Sequence, residues 1–360
     1  IDLTEGALSP ITNFAFSAQD ETVGILYQQE NGTVMFAKLE AEEDMFTEEI
    51  TWMPYQSELD FVTGITRHLL VSPDASRLFV VTDKQVFVAN SRDGENVELL
   101  YTLNVNRKHK LTSSQLLAGA NSLVLGYADG YIGQWFETNS DQGRDFIQAR
   151  HFMMQVDGDN KAIAKIYPEF YRRTFAATTT DGQVNLFHTT SKAELWQGKL
   201  SDNRLHALSF SPRSNALVSL ESSSLAVYKV ENEHPEVTWS GLWQEVWYEG
   251  YPEPDYIWQS SSASDDFESK FSLIPISFGT LKAAMYAMLF AVPIGLAAAV
   301  YTAYFMAPSV RKVVKPTVEI MEALPTVILG FLAGLWLAPV IEEHLPGVIL
   351  LLILLPLSIF

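Results

Sequence analysis

Ala283–Met306, AAMYAMLFAVPIGLAAAVYTAYFM, is 24 residues long and carries no charge. At about 1.5 Å rise per residue a helix of this length reaches roughly 36 Å, enough to cross a hydrocarbon core of about 30 Å with some tilt. Two more uncharged runs follow, 19 residues from Ala323 to Ile341 and 14 from Gly347 to Phe360. The segment around them is charge-balanced. Four bases (Lys282, Arg311, Lys312, Lys315) and four acids (Glu319, Glu322, Glu342, Glu343) fall in residues 271–360. The remaining 20 bases and 39 acids lie in residues 1–270, so the whole formal charge of −19 belongs there. One polypeptide is therefore built for two solvents, with the change near Phe271.

Spans are expected over about 277–306, 318–341 and 347–360. The last is shorter than the roughly 20 residues a crossing needs and is expected to be incomplete. The chain is read as a truncated one, because it also starts at Ile1 without Met or a leader. Arg311, Lys312 and Lys315 lie between the first two runs, and short basic loops stay cytoplasmic. That orientation puts residues 1–270 outside, in the periplasm of a bacterium with an inner membrane. The absence of Cys fits either compartment.

Small residues recur every fourth position from Ala283 through Gly295 to Ala307, and Gly330 and Gly334 repeat the spacing. Such ridges let helices approach closely, so Gly295, Gly330 and Gly334 are read as packing positions. Pro293 is expected to kink the first span by removing a backbone bond. Glu319 and Glu322 are three apart and share a helix face. They are read as an interfacial pair near Arg311, Lys312 and Lys315, or as a gate or coupling contact together with Pro325 and Gly330.

Ser277-Phe-Gly-Thr-Leu281, Ala291-Val-Pro-Ile-Gly295, Ala299-Val-Tyr301, Glu319 and Leu324-Pro-Thr-Val-Ile-Leu-Gly330 occur in that order. Over about residues 255–360 the chain resembles the phosphate-specific permeases of ABC importers, most closely the subunit that pairs with a second, homologous permease. The resemblance implies a multi-span permease subunit and a dimeric pathway. It also implies a cytoplasmic ATPase dimer and a periplasmic phosphate-binding protein as partners. Glu319 matches an acid that the family often carries before its Pro-Ser/Thr segment. Glu322 has no common counterpart, and Tyr304 stands where many members carry an acid. The residues associated with phosphate passage and ATPase coupling are expected beyond Phe360.

Residues 1–242 read as β-structure. Five stretches repeat one pattern: Phe14–Ala37, His68–Val88, Leu116–Trp135, Ile163–Phe187 and Leu205–Tyr228. Three contain Asn31-Gly32, Asp129-Gly130 or Asp181-Gly182, pairs that permit the positive φ of a two-residue hairpin. Asp83 to Asp129 is 46 residues, Asp129 to Asp181 is 52, and Ser72-Pro73 recurs as Ser211-Pro212 after 139. Periods of about 40–50 residues with three or four strands indicate propeller blades, WD40-like in rhythm but without the Trp-Asp pair. A β-sandwich is the alternative. Residues 42–60 and 236–248 supply outer strands or a further blade. The expected fold is thus an all-β propeller followed by all-α permease helices.

The acidic balance opposes nucleic acid and phosphate on this domain. The run Glu40–Asp44 with Glu48 and Glu49 reads as a solvated loop, with calcium capture as the sharper alternative. Asp157-Gly-Asp159-Asn160 begins like a calcium loop but lacks the later Gly and Glu. No metal or cofactor site is expected. No phosphate-binding Lys loop, HExxH or GxSxG occurs, so ATP hydrolysis is assigned to a partner rather than to this chain. Residues 243–272, rich in Trp, Tyr and Ser, are read as a linker whose aromatics serve a headgroup belt or core packing under the propeller. The other functional class in view is a membrane-anchored propeller that acts as an interaction or sensing module without transport of its own.

Overall fold

The computed structural model describes residues 10–43, 50–141, 143–202, 204–262, 267–322 and 325–359. Two compact units divide it, Ile1–Phe278 and Gly279–Phe360.

The first unit is a β-propeller of five antiparallel sheets. Its strands are β1 to β4 (Ile11–Gln19, Thr22–Gln29, Val34–Glu43, Ile50–Glu58), β5 to β8 (Thr66–Val71, Arg77–Thr82, Gln85–Asn90, Glu98–Asn104) and β9 to β12 (Leu111–Leu116, Ser122–Tyr127, Tyr131–Ser140, Gly143–Met153). A two-stranded hairpin follows, β13 (Gln155–Val156) and β14 (Asp159–Asn160). Then come β15 to β18 (Lys165–Pro168, Thr174–Thr178, Gln183–His188, Ala193–Lys199) and β19 to β21 (Ala207–Phe210, Ala216–Leu220, Leu225–Lys229). Each sheet pairs its strands in sequence order, and the first strands of successive sheets are neighbours. The five sequence repeats coincide with the five sheets.

Burial explains why the middle strands read as continuous apolar runs rather than alternating ones. In β6, Leu78 and Val80 pack with Leu26, Phe36 and Leu69 toward the first sheet. Phe79 and Val81 point the other way and pack with Leu123, Leu125 and Phe146 of the third. A sheet sandwiched between two others has no solvent face. The layers continue with Phe152 and Phe175, edge to face at 5.7 Å, between sheets three and four. Leu186, Leu208, Phe210 and Leu217 fill the layer between sheets four and five. The end sheets behave differently, because among the described residues their outer faces are partly open. Phe14 and Phe16 of β1 are 64% and 69% exposed, and Leu225 and Val227 of β21 are 65% and 64% exposed.

The turns follow the predicted chemistry. Gly32, Gly130 and Gly182 all have positive φ. Asp157-Gly158 is the two-residue turn of the β13–β14 hairpin, both residues at positive φ. The calcium-like string is thus a tight turn, and among the described residues no group of three or more His, Asp or Glu is placed to hold a metal. Residues 42–60 supply β4, the outer strand of the first sheet. Residues 236–248 supply no strand; they contain the one-turn helix α1 (Trp239–Trp243), capped by Thr238 Oγ1 accepting from Gly241 N at 3.0 Å. Asp44, Glu48 and Glu49 of the acidic run lie outside the described residues.

The helical part begins at α2 (Leu273–Val300), which continues through Pro293 and ends in a π turn over Tyr301–Phe305. Next comes α3 (Pro308–Glu322), a helix of its own. Then α4 (Thr326–Leu332), a π turn over Ala333–Leu337 and α5 (Ala338–Glu343) form one apolar rod, followed by α6 (Leu345–Ile359). The expected second span over 318–341 is therefore not a single helix. Residues 318–322 belong to α3, and the chain is non-helical at Pro325 (φ −59°, ψ 114°) before α4 starts. A prolyl nitrogen cannot donate to the preceding turn, and Pro disfavours helix in the residue before it. At Pro339 the rod stays helical but loosens by one residue, with Ala338 (φ −62°, ψ −48°) donating to Ala333 O five residues back. Among the described residues two helices, Leu273–Phe305 and Thr326–Glu343, are long and apolar enough to cross a membrane. The 15-residue α6 is apolar but shorter.

Candidate functional site

The strongest concentration of buried charge is on the propeller, where sheets three and four meet the segment that follows β21. That segment does not hang free. Arg172 Nη1 donates to Asn232 O. Ser191 Oγ donates to Pro235 O at 3.1 Å. Trp247 meets the Phe136 ring edge to face at 5.8 Å, and Gly250 N donates to Glu137 O at 3.2 Å. Val246 and Tyr248 are buried, whereas Trp239 is 80% exposed. The aromatic stretch thus divides: some rings complete the propeller core and others face outward. The segment acts as a strap across one end of the sheets. It closes with β22 (Trp258–Gln259) paired to β23 (Lys270–Phe271), and Ser272 N donates to Ile257 O at 3.0 Å just before α2 begins.

Under the strap runs a chain of hydrogen bonds. Arg150 of β12 donates through Nη1 to Gln134 Oε1 at 3.1 Å. Gln134 Nε2 donates to Ser122 Oγ at 2.8 Å, and Ser122 Oγ donates to Glu249 Oε1 at 2.5 Å. Arg173, ahead of β16, donates from Nε to Glu249 Oε2 at 3.0 Å. Glu249 thereby accepts on both oxygens, with its side chain 10% and that of Arg173 5% exposed. A second strap carboxylate, Glu268, accepts from Thr190 Oγ1 and lies 4.0 Å from His188 Nε2. Burial pushes the Glu268 carboxyl up to about 7, with repulsion from Glu249 adding and Arg173 opposing. Burial pushes His188 down to about 3, reinforced by Arg150, Arg173 and Arg172. At neutral pH the imidazole is therefore uncharged, and its approach to Glu268 is not an ion pair. Lys270 is lowered chiefly by burial. Among the described residues Arg150 Nε and Nη2 find no hydrogen-bond acceptor, which leaves a buried cation compensated only at a distance. A cavity of about 240 Å³ beside the cluster is lined by Arg172, Arg173, His188, His234, Glu236 and Glu268.

Glu249 and Glu268 are each engaged by a neighbouring donor, and Ser191 Oγ, which lies 2.8 Å from His188 Nδ1, also donates to Pro235 O at 3.1 Å. Sequence reading did not single out Ser122, Gln134, Arg150, Arg173, His188, Glu249 or Glu268. Glu249 and Glu268 are two of seven acids in residues 243–272 and nothing in their spacing marks them; their partners are 76 and 78 residues away.

The residues anticipated from sequence are all in the helical part. Arg311 turns back, with Nη2 donating to Ala303 O at 2.8 Å and Met306 O at 3.3 Å, and so satisfies free carbonyls at the end of the first helix. Lys312, Lys315 and Glu319 are exposed along α3, and Glu322 is its last residue. Pro325 O accepts from Ile328 N and Leu329 N at the start of α4. Gly330 lies in α4 and Gly334 in the π turn. A Cβ at Gly295, Gly330 or Gly334 would meet nothing within 4 Å, so no described helix of this chain packs on them.

No family model matches the chain. Over 78 residues it is 28% identical to the probable ABC transporter permease protein YqgH of Bacillus subtilis (strain 168). The similarity is to a permease, and it is weak. The match takes in 22% of this chain and 25% of that protein, so the chain spans about a quarter of the length of its curated relative. Among solved structures, the β-propeller domain of Cps50 (Swd1) from Myceliophteria thermophila aligns with a TM-score of 0.47 at 11% identity, covering 62% of this chain and 71% of that one.

Proposed function

We propose that the chain is a membrane-embedded permease subunit of an ABC importer for inorganic phosphate, carrying a periplasmic propeller that docks or regulates a protein partner. The observation that carries this reading is the 78-residue similarity to a probable ABC permease, joined to the ordered motifs from Ser277 to Gly330. The basic residues Arg311, Lys312 and Lys315 face the cytoplasm, and residues 1–270 lie on the other side. The partners are a second permease, an ATPase dimer that supplies the hydrolysis, and a phosphate-binding protein that delivers the anion. Closure of the ATPases rocks the helices and opens the path between the two permeases alternately to each side.

ATP-dependent uptake of labelled phosphate by the full complex, reconstituted with its binding protein, tests this reading. Assembled complex that takes up no phosphate rejects the substrate, and uptake of another oxyanion replaces it. A second reading, a tethered interaction module, draws on the strap network, which resembles a docking scaffold more than a conduit. Removal of residues 1–250 separates the two: unchanged transport with lost capture of a protein partner favours the module.

A further inference from the structure

The helix between the two apolar rods was not foreseen as a separate element, and its composition is divided lengthwise. At about 100° per residue, Val310, Val313, Val314, Val318, Ile320 and Met321 of α3 fall within a sector of roughly 160°. Arg311, Lys312, Lys315 and Glu319 fall within roughly 100° on the other side. Among the described residues most of the apolar sector is uncovered: Val313 and Ile320 are each 67% exposed and Val318 and Met321 59%, with Val314 partly buried.

Two features show that α3 is not the end of either rod. The backbone leaves the helix at Met306 (φ −77°, ψ 131°) and again at Pro325 (ψ 114°). The Arg311 side chain then ties the start of α3 to the carbonyls of Ala303 and Met306, across the bend. At 15 residues α3 reaches about 22 Å, less than a hydrocarbon core of about 30 Å. Its charged residues also forbid a crossing. Both its ends join helices that qualify as spans, so it is held at the membrane surface where the first span ends and the second begins.

We propose that α3 lies in the plane of the bilayer interface and docks on an anionic lipid surface. Val313, Ile320 and their neighbours sit in the acyl boundary, while Lys312 and Lys315 reach the headgroup phosphates. Long basic side chains bury their stems and keep their charge at headgroup level, where each is attracted to anionic lipid. Glu319 shares that polar side and faces water.

The sequence contains no Cys, so single nitroxide labels can be placed without background in the full chain, in vesicles of phosphatidylcholine with phosphatidylglycerol. Labels on Val313→Cys and Ile320→Cys are expected to collide several-fold more with oxygen than with a polar nickel chelate; labels on Lys312→Cys and Glu319→Cys are expected to show the reverse. Removing phosphatidylglycerol, or combining Lys312→Gln with Lys315→Gln, is expected to raise nickel access at Ile320→Cys. Nickel access that is equal on both faces places α3 in water and overturns the proposal. Exclusion of both reagents at Val313 and Ile320 means that protein covers the face, which overturns it equally. Two sites on each face keep the measurement decisive if one variant fails to insert.

Discussion

Arg173 Nε and Glu249 Oε2 are 3.0 Å apart and almost wholly enclosed, across 76 residues of sequence. Arg173 leads into β16 of the fourth sheet; Glu249 belongs to the strap that ends at the first span. Ser122 of the third sheet holds the other oxygen of Glu249. One carboxylate thus pins the strap to two blades.

Removing one partner of that pair strands the other without solvent. Arg173→Ala is expected to destabilise the propeller by about 3–5 kcal/mol, whereas Lys199→Ala, which loses an exposed pair with Asp202, is expected to leave stability nearly unchanged. Chemical denaturation followed by tryptophan fluorescence checks both. Equal effects would show that the Arg173–Glu249 pair is solvent-relaxed.

Glu268 and His188 give the propeller opposite pH dependences. Glu268, raised to about 7, binds its proton more tightly folded than unfolded. Its contribution is fully present below the ordinary carboxylate value of about 4.3 and is lost as pH rises through 7. His188, lowered to about 3, makes stability fall as pH drops from about 6.5 toward 3. Between these limits the two slopes offset each other. Glu268→Gln is expected to abolish the loss of stability between pH 6.5 and about 7, and to steepen the fall below pH 6.5, where the His188 slope is then no longer offset. Thermal melts across pH of both proteins decide it; an unchanged neutral limb refutes the assignment.

Two glycines with nearly the same φ are expected to differ sharply. A Cβ on Gly130 (φ +81°) would lie 2.7 Å from Lys161 O and 2.9 Å from Met154 O, both backbone. Gly130→Ala adds a clash that no side-chain movement relieves and is expected to cost about 3 kcal/mol or more. Gly32 (φ +92°) has nothing within 4 Å, so Gly32→Ala meets only the backbone penalty of about 1–2 kcal/mol. Comparison of the two melting temperatures is the check.

Phenylalanines on middle and end sheets should not be equivalent. Phe79, fully buried, is expected to cost about 3–5 kcal/mol on change to Ala. Phe16, 69% exposed on the open face of the first sheet, is expected to cost within about 0.5 kcal/mol. Phe16→Ala should also lower binding of a hydrophobic dye, because it shrinks an exposed apolar patch. A large loss of stability at Phe16 would mean that this face is covered in solution.

The five repeats were legible because each strand's pattern is local. The apolar run of β6 needs both faces buried, and Gly at Gly130 and Gly182 follows from the sign of φ at the turn. The break at Pro325 was also available in the sequence, yet apolar content over 318–341 obscured it: Val318, Ile320 and Met321 read as lipid-facing whether they belong to a span or to α3. Hydropathy counts residues and ignores direction; the angular division of α3 shows only when its helix is known to be separate.

Composition and period alone determined that the chain pairs an acidic β-propeller with apolar helices, since hydrophobic burial acts through patterns a few residues long. Only the tertiary structure decided where buried charge resides. Arg173 pairs with Glu249, and Arg150 and Glu268 are buried near them, through positions brought together by sheet stacking, and no short-range spacing encodes which distant acid meets which base. The same holds for the strap: its aromatics suit a membrane surface or a protein core equally well, and the contact of Trp247 with Phe136 assigns that ring to the core.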